Sequence, residues 1–298
     1  MHYLLSIAET CGLNLILALS VYATFMVGQF SLAQVGFWAI GAYVTGIIVA
    51  LYGLPLAVAL LAAAALCALI GVVLGYPCLR IRGIYLALAT VAFSEVVRVF
   101  FNNFTLQIPS GAQMLGPAGT LGFRGIPVRT SWVQIFIVDV LVIGAFAWLE
   151  RSRFGLSAKA LRDDETAAAC AGVDIVKMKV GAFALGAAVA AVGGGLYGTY
   201  VSSVTPDNFG FHLGLISVFY IAVGGSHRFI GPVVGAIVLT VLPHLLDFAG
   251  DYRMVVYGLF VLAIAALFPR GIEGLWATLV RPRPAPGALP AALPDARR

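Results

Sequence analysis

Side chains able to do chemistry are scarce in this sequence, and their spacing limits what they can do. The four histidines, His2, His212, His227 and His244, make no HExxH pair, and no GxSxG places a serine on a nucleophile turn. The only lysines are Lys159, Lys177 and Lys179, and none follows a glycine, so no GxxxxGK[ST] loop cradles ATP phosphates. Gly193-Gly194-Gly195-Leu196-Tyr197-Gly198 satisfies GxGxxG in form, but it follows an apolar helical run instead of a strand. Gly194 and Gly198 read better as a GxxxG face for close helix packing, a spacing repeated at Gly71/Gly75 and Gly231/Gly235. Cys11, Cys67, Cys78 and Cys170 form no CxxC pair, and they read as small hydrophobes without a disulfide framework. No metal, cofactor or catalytic residue is expected.

What remains is charge, and it is concentrated. The chain holds 18 Lys and Arg and 13 Asp and Glu. Eleven of them stand between Glu150 and Lys179: Glu150, Arg151, Arg153, Lys159, Arg162, Asp163, Asp164, Glu165, Asp174, Lys177 and Lys179. That stretch is too polar to cross a bilayer. Ser157 can cap a short helix, Ala158 to Ala171 favour one, and Gly172 can end it. Phe154, Leu156, Leu161, Ala168 and Ala171 give it a narrow apolar stripe, with Arg162 to Glu165 as a polar patch. A short amphipathic helix along the cytoplasmic membrane face follows. It either docks a cytoplasmic protein or is solvated without a partner.

The elements holding this stretch are oily. The 298 residues are 61% hydrophobic and 10% charged, with a mean hydropathy of +1.00, against about 25% charged in a soluble domain. Apolar runs lie at about 12–27, 32–51, 54–76, 84–101, 131–149, 179–201, 212–224, 229–248 and 254–268. They are apolar on all faces, which disfavours a β-barrel. An all-α polytopic membrane protein follows, with about 8–10 transmembrane helices, because 212–224 and 254–268 are short for a span of ~20 residues. With the charged stretch in the cytoplasm, fourteen Lys and Arg fall inside and only Arg124, Arg129 and Arg253 outside. The loops 102–130 and 202–211 are then external. Residues 1–276 form the membrane domain, with the charged segment at about 151–179. Residues 277–298 are a basic Pro-rich cytoplasmic tail with too little apolar surface to order itself.

Three ionisable groups fall inside apolar runs, where each costs about 2.5–3.5 kcal/mol on insertion scales. Glu95 and Arg98 are three apart on one helix face and can pair; Asp139 sits within 131–149. They mark either a polar pathway or a structural lock. Two Gly-rich stretches, 28–43 and 224–236, interrupt apolar runs and resume with Gly-Ala at Gly41-Ala42 and Gly235-Ala236. Paired broken helices point to a transport path. Its candidates are Ser31, Gln34, Gly41, Gly224, Gly225, Gly231 and Gly235; helix-packing glycines without substrate contact are the alternative.

The segment "SRFGLSAKALRDDETAAACAGV" resembles the coupling segment of permeases in the branched-chain amino-acid ABC importer family, of the LivM type. Arg153, Phe154, Gly155, Arg162, Glu165, Ala167, Ala168, Gly172 and Val173 fill the family pattern, and Leu156 stands where the family usually has Arg. "GQFSLAQVGFWAIGAY" (28–43), "LRIRGIYLALATVAFSEVVR" (79–98) and "GGSHRFIGPVVGA" (224–236) resemble further family signatures. Ala33-Gln34 and Ser226-His227-Arg228 are local departures. The likeness covers about residues 10–276.

The resemblance implies one transmembrane subunit of a bacterial inner-membrane importer. Its implied partners are a second homologous permease, two cytoplasmic ATP-binding subunits and a periplasmic substrate-binding protein. ATP is then bound by the partners. The implied substrate is a branched-chain or related apolar amino acid, with urea, amides or small carboxylates as alternatives. Arg153, Phe154, Gly155, Leu161, Arg162, Glu165, Ala168 and Gly172 become the ATPase-coupling residues. An ion-coupled secondary transporter or a membrane scaffold are the rivals from other classes.

Overall fold

The computed structural model describes residues 2–78, 80–81, 83–110, 113–126, 130–246, 252–267 and 271. The tail expected at 277–298 lies outside the described residues, as do Arg82, Arg129 and Arg270. The chain is helical: α1 (His2–Phe25), α2 (Gln34–Tyr52), α3 (Leu56–Cys78), α4 (Ile84–Asn103), α5 (Trp132–Arg151), α6 (Arg153–Asp163), α7 (Glu165–Cys170), α8 (Ile175–Val201), α9 (Phe211–Gly224), α10 (Ile230–Leu245) and α11 (Arg253–Leu267).

Seven stretches are long and apolar enough to cross a membrane. They are α1 to α5, α8, and α9 extended by a 3-10 turn at Pro206–Phe209. That turn lengthens the expected short run 212–224 to 19 residues. Conversely, the run at 229–248 gives only the 16-residue α10, so the shorter apolar helices are α10 and Val255–Ile264 of α11.

The 27-residue α8 is the central helix, packed on α1, α2 and α3. Small residues make this possible. A Cβ on Gly194 would overlap the Trp38 carbonyl of α2, and one on Gly198 would sit 3.3 Å from the Ala42 carbonyl. The GxxxG face thus meets one face of α2. Gly71 and Gly75 of α3 lie in the same way against Ala184, Ala187 and Val180 of α8. Close backbone approach is how helices gain contact where lipid removes the hydrophobic drive.

One end of the bundle carries a small antiparallel sheet, formed by segments that lie within the external loops expected at 102–130 and 202–211. It orders β1 (Ile108–Ser110), β2 (Gln113–Pro117), β3 (Phe123–Arg124) and β4 (Ser203–Val204) in sequence. Phe123 pairs with Val204 across β3 and β4, and its fully buried ring packs on Tyr43 of α2. The salt bridge expected of Glu95 and Arg98 forms at 2.7 Å, and Arg98 also holds Asp207 of the 3-10 turn at 2.8 Å.

The chain's first helix starts at this sheet end. Tyr3 meets His244 Nδ1 at 3.3 Å, and Ser6 meets the Tyr200 hydroxyl at 3.5 Å, next to the end of α8. Most described Lys and Arg gather at the opposite end, around α6 and α7. Positive charge marks the cytoplasmic side. Native Cys170, exposed on α7, is therefore expected to react with an impermeant thiol reagent only after the membrane is opened. Leu121→Cys, at an exposed site beside the sheet, in a chain lacking native cysteines, is expected to react from outside. The reverse pattern would overturn this orientation.

Candidate functional site at the charged end of the bundle

The charged segment folds as two helices where the sequence suggested one. Asp164 is extended, with φ −154° and ψ 113°, and breaks the helix. Its Oδ1 then accepts from the Thr166 and Ala167 amides at 2.8 and 3.0 Å, which caps α7. The first cap is also displaced: Ser152, not Ser157, opens α6, accepting from the Gly155 amide at 3.4 Å and donating to the Leu149 carbonyl at 2.6 Å. Gly172 ends the unit as expected. At φ +83° it lies in the left-handed region, with the Val173 amide bonded back to the Ala168 carbonyl at 3.0 Å.

The expected apolar stripe is redistributed. Ala158, Leu161 and Ala168 are buried against this chain's own membrane domain, at 0%, 4% and 2% exposure. Leu161 therefore cannot supply apolar contact to a docked protein. Leu156 faces outward at 64% exposure and Ala171 is exposed, so neither joins the stripe. Phe154 lies over Gly181 of α8, and Gly155 stacks directly on the last carbonyls of α5, where a Cβ would overlap Leu149 and Glu150.

Three polar ties fix the unit. Lys159 pairs with the nearly buried Glu150 at 2.8 Å. Glu165 of α7 holds Lys179 of α8 at 2.9 Å. Asp174 caps α8 through the Lys177 amide at 3.1 Å; that bond, helped by the Lys177 ammonium, holds its carboxyl below the usual carboxylate range. Arg162 makes the third tie. Its Nη1 donates to the Ser226 carbonyl at 2.7 Å, and Nη2 lies 3.2 Å from His227 Nδ1. Arg153 is exposed, as are Asp163 and Asp164.

The two Gly-rich stretches prove unlike each other. After α1 the chain turns at Gly28 (φ +73°), directly beside Arg162, and runs without helix to Gln34. Gln34 is fully buried beside Gly186, near the middle of α8. The non-helical run therefore passes inside the bundle, where no water satisfies backbone groups. Hydroxyls of α4 do so instead. Thr90 Oγ1 accepts from the Leu32 amide at 3.0 Å, and Ser94 Oγ donates to the Leu32 carbonyl at 3.1 Å and accepts from the Gly36 amide at 3.2 Å. Ser31 Oγ donates to Gln34 Oε1 at 3.3 Å. These hydroxyls were not among the expected site residues. Their signal was present as two hydroxyls one helical turn apart in the apolar run 84–101.

The stretch 224–236 is no interrupted helix. α9 and α10 form a hairpin closed by residues 225–229 at the charged end. Gly224 packs on the Gly231 carbonyl, and Gly235 on the Tyr220 carbonyl. Gly225 and Gly231 are buried, and Gly41 meets the Ala191 backbone of α8. All seven path candidates thus lie in close packing within this chain. Asp139 is 8% exposed and faces α1, its carboxylate against Gly12.

A cavity of about 160 Å³ is lined by Ala33, Thr90, Phe93, Cys78 and Phe183 among others. It adjoins the start of α2 and is almost wholly apolar.

Comparison with known proteins follows the same outline. The family described as "Branched-chain amino acid transport system / permease component" matches residues 3–265. The chain is 29% identical over 287 residues to the high-affinity branched-chain amino acid transport permease LivM of Salmonella typhimurium, covering 88% of this chain and 66% of that protein. LivM of Escherichia coli gives the same figures. The ribose import permease RbsC of Escherichia coli is 26% identical over 215 residues, covering 69% of this chain and 66% of RbsC. The chain thus spans just under two thirds of the length of these relatives. No solved structure matches it. A family match over nearly every described helix, on an apolar bundle with a charged helical unit pinned to one end, makes this a multi-pass membrane protein of the inner membrane. The chain belongs to the permease-component family of branched-chain amino acid transport systems.

Proposed function

We propose that the chain is one of two related membrane subunits of a bacterial ABC importer for branched-chain or similar apolar amino acids. A periplasmic binding protein delivers the substrate and two separate cytoplasmic ATPases supply the work. The observation that carries this reading is the α6–α7 unit. Its inner face is buried and tied by three polar contacts, while its outer face, with Leu156, Ala160, Ala167, Cys170 and Ala171, is uncovered. A short rigid helix with small outward residues suits a groove on a partner. Phe154, Gly155, Leu161, Arg162, Glu165, Ala168 and Gly172 then act chiefly by holding that face in place, and the exposed Arg153 is open to the partner.

Transport on this reading is alternating access. ATP binding draws the ATPases together, the unit moves as a rigid body, and the membrane helices above it rearrange. The run 28–34 and the hairpin 224–235 are the membrane elements nearest the unit. The amino-acid substrate rests on the LivM relatives. RbsC shares the scaffold, so the substrate test includes ribose.

The test is reconstitution in vesicles with the neighbouring permease, ATPase and binding-protein gene products. Uptake of radiolabelled leucine that needs all components and ATP is expected, with ribose, urea and acetamide transported far less. Leucine uptake driven by an ion gradient without ATPases, or no ATPase bound to the chain, would refute the reading.

A further inference from the structure

We infer that Arg162 is a positioning residue that ties the coupling unit to both glycine-rich elements at once, so that one movement of α6 carries the two together. The inference rests on the proposed function, and it identifies the joint through which the unit acts. One side of the joint is the Gly28 turn. Gly28 faces the Arg162 stem with room between them for little more than a methyl: a Cβ there would lie 3.5 Å from the Arg162 Cα and 3.6 Å from its Cγ. That turn opens the non-helical run held by Thr90 and Ser94 of α4, and the run leads into α2. The other side is the turn 225–229, joining α9 to α10. There the guanidinium reaches the Ser226 carbonyl at 2.7 Å and His227 Nδ1 at 3.2 Å.

Three features suit Arg162 to this role. Its side chain is only 18% exposed, so the contacts form largely out of water. Its nearest carboxylate, Asp163, is 4.0 Å from Nε and 78% exposed, too far and too solvated to draw the guanidinium away. The planar fork also engages a carbonyl and a ring nitrogen together, which a lysine cannot do. Sequence alone placed Arg162 in the coupling segment, but it could not show that residues 28 and 226–227 converge on it.

The experiment has two arms. The first uses the lone purified chain and needs no ATPase. Amide hydrogen exchange at 26–29 and 225–229 is compared between the native chain and Arg162→Met, which keeps the apolar stem and deletes the donors. Exchange at 225–229 is expected to quicken about tenfold in Arg162→Met, the loss of one charge-assisted hydrogen bond, whereas 26–29, which faces the retained stem, is expected to quicken only in Arg162→Ala, which removes the stem as well. The second arm uses the reconstituted complex and reads ATP hydrolysed per substrate imported. That ratio is expected to rise about tenfold in Arg162→Met and less in Arg162→Lys, whose ammonium keeps the charge and donors but not the planar fork. A purely structural defect lowers the amount of complex but leaves the ratio unmoved. An unchanged ratio, exchange at 225–229 that stays unmoved in Arg162→Met, or exchange at 26–29 that stays unmoved in Arg162→Ala, overturns the inference. So does loss of the ATPase from Arg162→Met, because the residue would then be a docking contact. A native chain that binds no ATPase refutes the proposed function instead, and the exchange arm still judges the joint.

Discussion

Gly194→Leu is expected to leave almost no folded permease, whereas Gly144→Ala is expected to be silent. Both positions are glycines in long apolar helices, and only their surroundings differ. A Cβ at Gly194 would overlap the Trp38 carbonyl, a backbone atom that cannot swing aside. The leucine must therefore push α8 from α2 along a contact that also includes Gly198, Ala42 and Gly41. Overpacking costs about 1–3 kcal/mol even where side chains can yield, so the loss here should exceed that range. At Gly144 nothing lies within 4 Å of the added methyl, and alanine favours helix by up to about 1 kcal/mol. Thermal unfolding in detergent, with size-exclusion yield, measures both. A Gly194→Leu chain as stable as Gly144→Ala would show that α2 and α8 do not meet as described.

The second large effect concerns the coupling unit. Glu165→Lys is expected to abolish uptake in the reconstituted importer and to release the ATPase. The Glu165–Lys179 pair is about a third exposed on the Glu165 side, so its own contribution is modest, about 0.5–1 kcal/mol. Reversal does more than remove it. Two ammonium groups then face each other, one of them on the largely buried Lys179, and α7 must leave α8 to separate them. The double exchange Glu165→Lys with Lys179→Glu restores the attraction with its ends swapped and is expected to recover most uptake. Gly172 gives an independent check through backbone alone. No neighbour crowds it, but its φ of +83° is one that a β-branched residue resists. Gly172→Val should impair uptake, and Gly172→Asn, which tolerates that conformation, should do so far less. Normal uptake and ATPase retention in both Glu165→Lys and Gly172→Val would reduce the unit to a solvated loop.

Much of this architecture was legible in the sequence, for physical reasons. A bilayer demands about 20 apolar residues per crossing, so the long helices announce themselves, and Gly194/Gly198 signal close packing by spacing alone. The sheet did not announce itself, because its strands run from two to five residues and are too short for alternation to register. The break in the charged unit was signalled but outweighed. Asp164 followed by Glu165 and Thr166 is a good helix start, yet it sits inside an alanine-rich run that reads as continuous helix. The two Gly-rich stretches looked alike in sequence and fold differently. Whether a polar gap runs through the bundle or turns at its end depends on which helix offers it hydroxyls, and Thr90 and Ser94 are far away in the chain.

That distance bears on how the protein is made. The Leu32 amide closes its hydrogen bond with a side chain 58 residues further on. At about 5–20 residues per second of synthesis, Thr90 follows Leu32 out of the ribosome by about 3–12 s. Until then the chain between α1 and α2 has backbone groups that no lipid can satisfy. The first two helices therefore cannot be released into the bilayer one at a time as finished pieces. Biogenesis must hold them in a wet or protein-lined place until the fourth helix arrives, and the N-terminal half of this permease enters the membrane as a set.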